Sequence, residues 1–103
     1  MDINTDVSRG SNGSRLFSLG QIVSTPGALE VIHQSEQSIA DFLGRHLLGD
    51  WGELCLEDKQ ANEDALKDGL RLLSAYKLSD GTRIWVITEC DRSATTILLP
   101  EEY

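Results

Sequence analysis

The sequence has few of the residues that mark a metal centre, a disulfide framework or a membrane protein. It contains two cysteines and two histidines among 103 residues. Neither cysteine lies in a Cys-x-x-Cys pair or at zinc-ligand spacing from a histidine. No apolar run approaches the roughly 18 residues that a membrane-spanning helix needs. We therefore expect no metal, no cofactor and no membrane span.

Basic residues are also scarce, because 9 Lys and Arg stand against 17 Asp and Glu and leave a formal net charge of −8. Neutralising phosphates requires an excess of Lys and Arg, so direct nucleic-acid binding is disfavoured. Residues 1–13 are polar and lack the apolar middle of a signal peptide. We expect a cytoplasmic protein in which Cys55 and Cys90 are buried free thiols, although a disulfide between them stays open.

The beginning of the chain differs in composition from the rest. Residues 1–15 are dominated by Ser, Gly, Asn and Asp. Such a segment cannot bury enough apolar surface to offset the entropy lost on ordering. The sequence therefore predicts a flexible tail over 1–15 and a single domain over 16–103.

Capping signals predict two short helices. Thr25 and Pro26 suit an N-cap and a first helical position, which favours a helix over 26–34. Ser38 opens a capping box before a second helix over 39–48. The residues expected to face the core are Leu29, Ile32, Ile39, Phe42, Leu43 and Leu47.

A third helix is predicted over 58–68. Its residues are mostly good helix formers, and Gly69 suits a left-handed residue at its end. The inward side is expected to carry Ala61, Ala65 and Leu66.

The remaining segments follow a strand pattern. A short extended segment is expected over 19–24, and alternating or β-branched stretches predict strands over 70–78, 83–90 and 94–99. Asp80-Gly81 indicates a hairpin whose loop has either two or three residues. We therefore predict an α+β domain, with two or three short helices packed on a three- to four-stranded antiparallel sheet that ends in a C-terminal β-meander.

The acidic residues are concentrated in one part of the chain. Residues 50–68 carry a net charge of −5 out of −8. This segment is either a solvated helix face or a surface for a basic partner, in which carboxylates imitate phosphates. Its acidic residues are Asp50, Glu53, Glu57, Asp58, Glu63, Asp64 and Asp68.

A few other residues are functional candidates. Trp51 is either a core residue or an exposed anchor for a partner. Glu89, Asp91 and Arg92 could form a catalytic group, but turns of this kind usually make local hydrogen bonds. A nucleophile pair between either cysteine, Cys55 or Cys90, and a histidine stays open, although nothing in the sequence marks either thiol as activated. The favoured expectation is a protein without catalytic activity.

Three segments resemble a known family: LFSLGQIVSTPGAL over 16–29, GDWGEL over 49–54 and DGTRIWVITECDRSATTILLPEEY over 80–103. They are similar to small bacterial proteins carried on plasmids, prophages and integrating elements. That group includes an anti-CRISPR inhibitor of type II-A Cas9. The resemblance implies inhibition of Cas9, but it supplies neither a mechanism nor a catalytic residue, and we expect the inhibition to be stoichiometric.

The acidic segment is compatible with that implied activity, because Cas9-type nucleases hold nucleic acid in positively charged channels. The alternative is a non-catalytic interaction module of mobile elements, such as a plasmid or restriction-modification accessory. A homodimer through exposed sheet edges is a further option. The expected partner-binding residues are Asp58, Glu63, Asp64, Asp68 and Trp51.

Overall fold

A computed structural model describes residues 15–103, so nearly all of the predicted tail lies outside the described residues. The fold is α+β, as the sequence predicted. In chain order its elements are β1 (Gln21–Ser24), α1 (Pro26–Gln34), α2 (Ile39–Leu47), α3 (Leu56–Asp68), β2 (Leu72–Lys77), β3 (Arg83–Thr88), β4 (Ala94–Leu98) and a 3₁₀ turn (Pro100–Glu102).

The four strands form one sheet in the order β1-β4-β3-β2. Strands β2, β3 and β4 form the predicted antiparallel meander. Strand β1 pairs in parallel with β4, so the sheet is mixed and the expectation of an antiparallel sheet throughout is wrong. The alternation of side chains reports only which face of a strand is buried, and it carries no information on the strand's neighbour.

The hairpin between β2 and β3 has a loop of three residues, 79–81, which is the longer of the two predicted alternatives. Leu78 N–H donates to the Thr82 carbonyl at 2.7 Å, and Gly81 N–H donates to the Leu78 carbonyl at 2.9 Å. Gly81 has φ +92°, which places it in the conformation that a three-residue loop requires at this position. The register follows, with Lys77 opposite Arg83.

Helices α1 and α2 cover one face of the sheet. Phe42 on α2 packs against the Tyr76 ring with centroids 5.5 Å apart. Leu29 was expected to face the core, but its side chain is 51% exposed. Ala28 is buried there instead. The main core comprises Ala28, Ile32, Phe42, Leu43, Tyr76, Leu78, Ile84, Val86 and Ile97.

Helix α3 starts two residues earlier than predicted, and its buried side is rotated. Ala61 is exposed, while Asn62 is buried beside Ala65. Cys55 and Cys90 are both free and exposed, so the expectation of buried thiols is wrong. Cys55 precedes the first turn of α3, where no apolar layer covers it.

Candidate functional site

Helix α3 is held against the outer edge of β2 by one side-chain amide. Asn62 Nδ2 donates to the Leu73 carbonyl at 2.6 Å, and Leu73 N–H donates to Asn62 Oδ1 at 3.1 Å. These are the two hydrogen bonds that a neighbouring strand residue would make. They fix which side of α3 faces the sheet and which side faces solvent.

The far end of α3 is held by Arg92. Its guanidinium donates to the carbonyls of Leu70 at 2.6 Å and Ala65 at 3.2 Å. Arg92 has φ +60°, a conformation that side chains other than Gly seldom adopt. The middle of the helix is therefore anchored by the Asn62 amide and its C-terminal end by the Arg92 guanidinium, which together fix the direction of its outward side.

The outward side of α3 is acidic. Glu57, Asp64 and Asp68 are exposed and recur at spacings of seven and four residues, which places them on one stripe of the helix. Gln60 Nε2 donates to Asp64 Oδ1 at 3.2 Å and lies in the same stripe. We call Glu57, Asp58, Asp64 and Asp68 the acidic surface. It includes three of the four acidic residues named from the sequence.

The fourth acidic residue, Glu63, has an internal role. It is half-buried and accepts a hydrogen bond from Trp51 Nε1 at 2.9 Å. Trp51 itself is 3% exposed, so it is a core residue and not an exposed anchor. Its ring stacks on Phe17 at 6.5 Å and meets the edge of His46 at 5.6 Å.

An exposed apolar residue on α3 was missed in the sequence. Leu56, the first residue of the helix, is 83% exposed and directly precedes the acidic Glu57 and Asp58. The prediction began the helix at residue 58 and therefore left Leu56 in the approach to it. The sequence signal that could have placed Leu56 in the helix is the acidic pair Glu57 and Asp58 directly after it, because acidic residues favour the first turn of a helix.

A chain of hydrogen bonds crosses the core beneath α2. Thr95 Oγ1 donates to the Leu19 carbonyl at 2.8 Å. Because a hydroxyl has one proton, Thr95 accepts from Thr88 at 2.7 Å, and Thr88 accepts from His46 Nε2–H at 2.9 Å. His46 Nδ1 then accepts from the Ser74 hydroxyl at 2.6 Å. The Leu19 carbonyl fixes the direction of the first three bonds, and a neutral His46 ring fixes that of the fourth.

His46 is neutral in this environment. Burial lowers its pKa to about 4, and the positive charge of Arg92 contributes in the same direction. The Ser74–His46 bond resembles that of a nucleophile and its base. Both side chains are completely buried, and Phe17 and Trp51 cover the His46 ring, so in this conformation the pair stabilises the core.

The residues of the turn between β3 and β4 make local hydrogen bonds, as the sequence analysis favoured. Asp91 Oδ1 accepts from Ser93 N–H at 3.0 Å, and hydrogen bonds from Ser93 hold the pKa of Asp91 below its usual range. Arg92 directs its guanidinium to backbone carbonyls, including that of Glu89 at 3.1 Å. These residues therefore shape the turn and anchor α3.

The fold and this surface define a small α+β protein that presents an acidic helix at one edge of its sheet. Across residues 15–103, no three His, Cys, Asp or Glu side chains converge as potential metal ligands. No helix in that range is long and apolar enough to cross a bilayer. Comparisons with known protein families, curated proteins and solved structures gave no significant match.

Proposed function

We propose that this chain is a non-catalytic protein that binds a basic partner through its acidic surface. The observation that carries the proposal is the position of α3. Its inner side is fixed by Asn62 and Arg92, while Glu57, Asp64 and Asp68 face solvent. A rigid row of carboxylates binds a cationic groove with little loss of conformational entropy.

The specific partner we propose is Cas9 of type II-A systems, which the protein would inhibit stoichiometrically. The family resemblance over 16–103 supports this choice. From Glu57 to Asp68 the helix rises about 16 Å, so its carboxylates extend over several phosphate positions of a nucleic acid. Such a row suits the positively charged channel of an RNA-guided nuclease.

The second candidate is an interaction module of mobile elements that binds a different protein. Leu56 supports this alternative, because it is 83% exposed beside the acidic surface. A phosphate groove offers little to an aliphatic side chain, whereas a protein partner can supply an apolar pocket. Both candidates use the same surface of α3.

A cleavage assay with a matched charge control tests the Cas9 proposal. The variant Asp64→Lys/Asp68→Lys reverses two exposed charges of the acidic surface and leaves Glu63 in place for Trp51. The control Glu30→Lys/Glu36→Lys makes the same change in net charge at exposed positions in α1 and in the turn that follows it. Both variants are first checked for native stability by urea unfolding.

The wild-type chain is expected to abolish target cleavage near one molecule per Cas9–guide complex. The α3 variant should need at least about 100-fold more protein, since two charge pairs are replaced by repulsions. The control should inhibit like wild type. Inhibition far below equimolar ratio would contradict a stoichiometric mechanism. Absence of binding by the wild-type chain would contradict Cas9 as the partner.

A further inference from the structure

The two edges of the sheet differ in whether their backbone groups are hydrogen-bonded. The β2 edge is closed at Leu73 by the Asn62 amide. It is closed again at Ala75, whose N–H donates to the Trp51 carbonyl at 3.1 Å and whose carbonyl accepts from Glu53 N–H at 2.6 Å. Such coverage prevents another strand from pairing there.

The β1 edge is open within residues 15–103, because β4 is the sole strand paired with β1 there. Gln21 N–H donates to the Ser93 carbonyl at 2.9 Å, and Thr25 N–H donates to the Ile97 carbonyl at 3.0 Å. Successive residues of a strand point their backbone groups to opposite sides. Ile22 and Ser24 therefore direct their N–H and C=O groups to the open edge.

Strand β1 also lacks the features that normally protect an edge. It contains no proline and no charged residue. Ile22 is 50% exposed and Val23 is 43% exposed, and they lie on opposite faces of the strand. A strand added at this edge would cover apolar surface on both faces of the sheet.

The charge distribution favours a second copy of this chain as the occupant. The segment from Leu16 to Leu29 contains no charged residue, although the whole chain carries −8. Two molecules with this net charge repel each other over most of their surfaces. The uncharged segment allows them to approach without bringing like charges together. The acidic helix α3 lies at the opposite edge of the sheet, beside β2.

We propose that β1 pairs antiparallel with β1 of a second copy and forms a twofold dimer with a continuous sheet. Within Gln21–Ser24, one register alone pairs both outward residues, Ile22 and Ser24, at the same time. Ile22 exchanges both backbone hydrogen bonds with Ser24 of the partner subunit, and the symmetric pair does the same. Val23 then faces its own copy across the twofold axis, as a non-hydrogen-bonded pair with close side chains.

This register makes Val23→Lys the decisive substitution, because two lysines would meet at the axis. The matched control is Leu70→Lys, which adds the same charge at a residue that is 54% exposed and lies outside β1. Sedimentation velocity of the full chain from micromolar to millimolar concentration gives the association constant. Raising the salt should strengthen the dimer, since it screens the net repulsion.

We expect concentration-dependent dimers for wild type and for Leu70→Lys, with at least about tenfold weaker association for Val23→Lys. Amide hydrogen exchange gives a second readout. The Ile22 and Ser24 amides should gain protection as dimers form, while Gln21 stays protected by β4 at every concentration.

Three results would overturn the proposal. The first is a monomer at millimolar concentration with freely exchanging Ile22 and Ser24 amides. The second is a dimer that Val23→Lys leaves unchanged. The third is protection of those amides only when the basic partner is added, which would assign the edge to a strand of that partner. The test is independent of α3, so its failure leaves the proposed function standing.

Discussion

The side-chain amide of Asn62 pairs with both backbone groups of Leu73, at 2.6 and 3.1 Å. A single side chain on α3 thus replaces a strand residue at the β2 edge. Because the amide is 5% exposed, its bonds are made away from water and are costly to lose. The same contact sets the rotation of α3 and hence the outward direction of the acidic surface.

Asn62→Asp should destabilise the fold by about 3 kcal/mol. The carboxylate keeps the shape of the amide, but it places an acceptor against the Leu73 carbonyl and buries charge. Urea unfolding measures the loss. Gln34→Glu, at the exposed C-terminal end of α1, should cost at most about 1 kcal/mol, because the added charge meets the negative end of the helix dipole. Equal stability of the Asn62→Asp variant and wild type would show that the edge contact contributes nothing.

Gly52→Ala should cost considerably more than Gly69→Ala, although both glycines have left-handed backbones, with φ +77° and +69°. A Cβ at Gly52 would overlap the Ala75 carbonyl, whereas a Cβ at Gly69 meets no neighbour. We expect about 1 kcal/mol for Gly69→Ala from backbone strain and at least about 3 kcal/mol for Gly52→Ala. Equal losses in thermal or urea unfolding would contradict the close approach of residues 51–53 to β2.

Acidification should destabilise the protein through His46. Its pKa is about 4 when folded and about 6.5 when unfolded, so the unfolded chain binds the proton first. Stability contributed by the neutral ring is complete above pH 6.5 and falls as the pH drops towards 4. The loss should reach about 2 kcal/mol by pH 5, and about 3 kcal/mol in total.

Urea unfolding between pH 7.5 and pH 5 measures this slope above the range in which carboxylates titrate. His33→Gln is the matched control, because it makes the same substitution at an exposed histidine. His46→Gln should lower stability at every pH and flatten the slope. An unchanged slope in His46→Gln would assign the pH dependence to other groups.

Cys55→Ser should stabilise the protein by about 1 kcal/mol. Cys55 is the N-cap of α3 with an extended backbone, and its side chain makes no capping hydrogen bond. A serine hydroxyl can accept from the free N–H groups of the first turn. Cys90→Ser, also at an exposed thiol, should have little effect. Equal unfolding midpoints for the two serine variants would show that the cap at residue 55 is without effect.

Local signals predicted most of the secondary structure correctly. Helix α1 spans Pro26–Gln34, the predicted range, and Thr25 Oγ1 accepts from Ala28 N–H at 3.1 Å as an N-cap should. The Asp80-Gly81 dipeptide likewise predicted the position of the hairpin turn between β2 and β3 correctly. Caps and turns depend on residues within a few positions of one another, so short sequence patterns contain the necessary information.

The candidate site was only partly predictable. The concentration of acid in residues 50–68 located the acidic surface, and Asp58, Asp64 and Asp68 are exposed. The roles of Trp51 and Glu63 could not be read from the sequence, because their hydrogen bond joins side chains whose directions depend on how α3 meets the sheet.

The sequence by itself determined the helices, the meander and the clustering of negative charge, since each depends on neighbouring residues or on simple counts. Only the tertiary structure decided that β1 lies beside β4, that Asn62 closes the β2 edge and that His46 is buried and neutral. These contacts join residues far apart in the chain. Their formation depends on which arrangement satisfies buried backbone and polar groups at the same time.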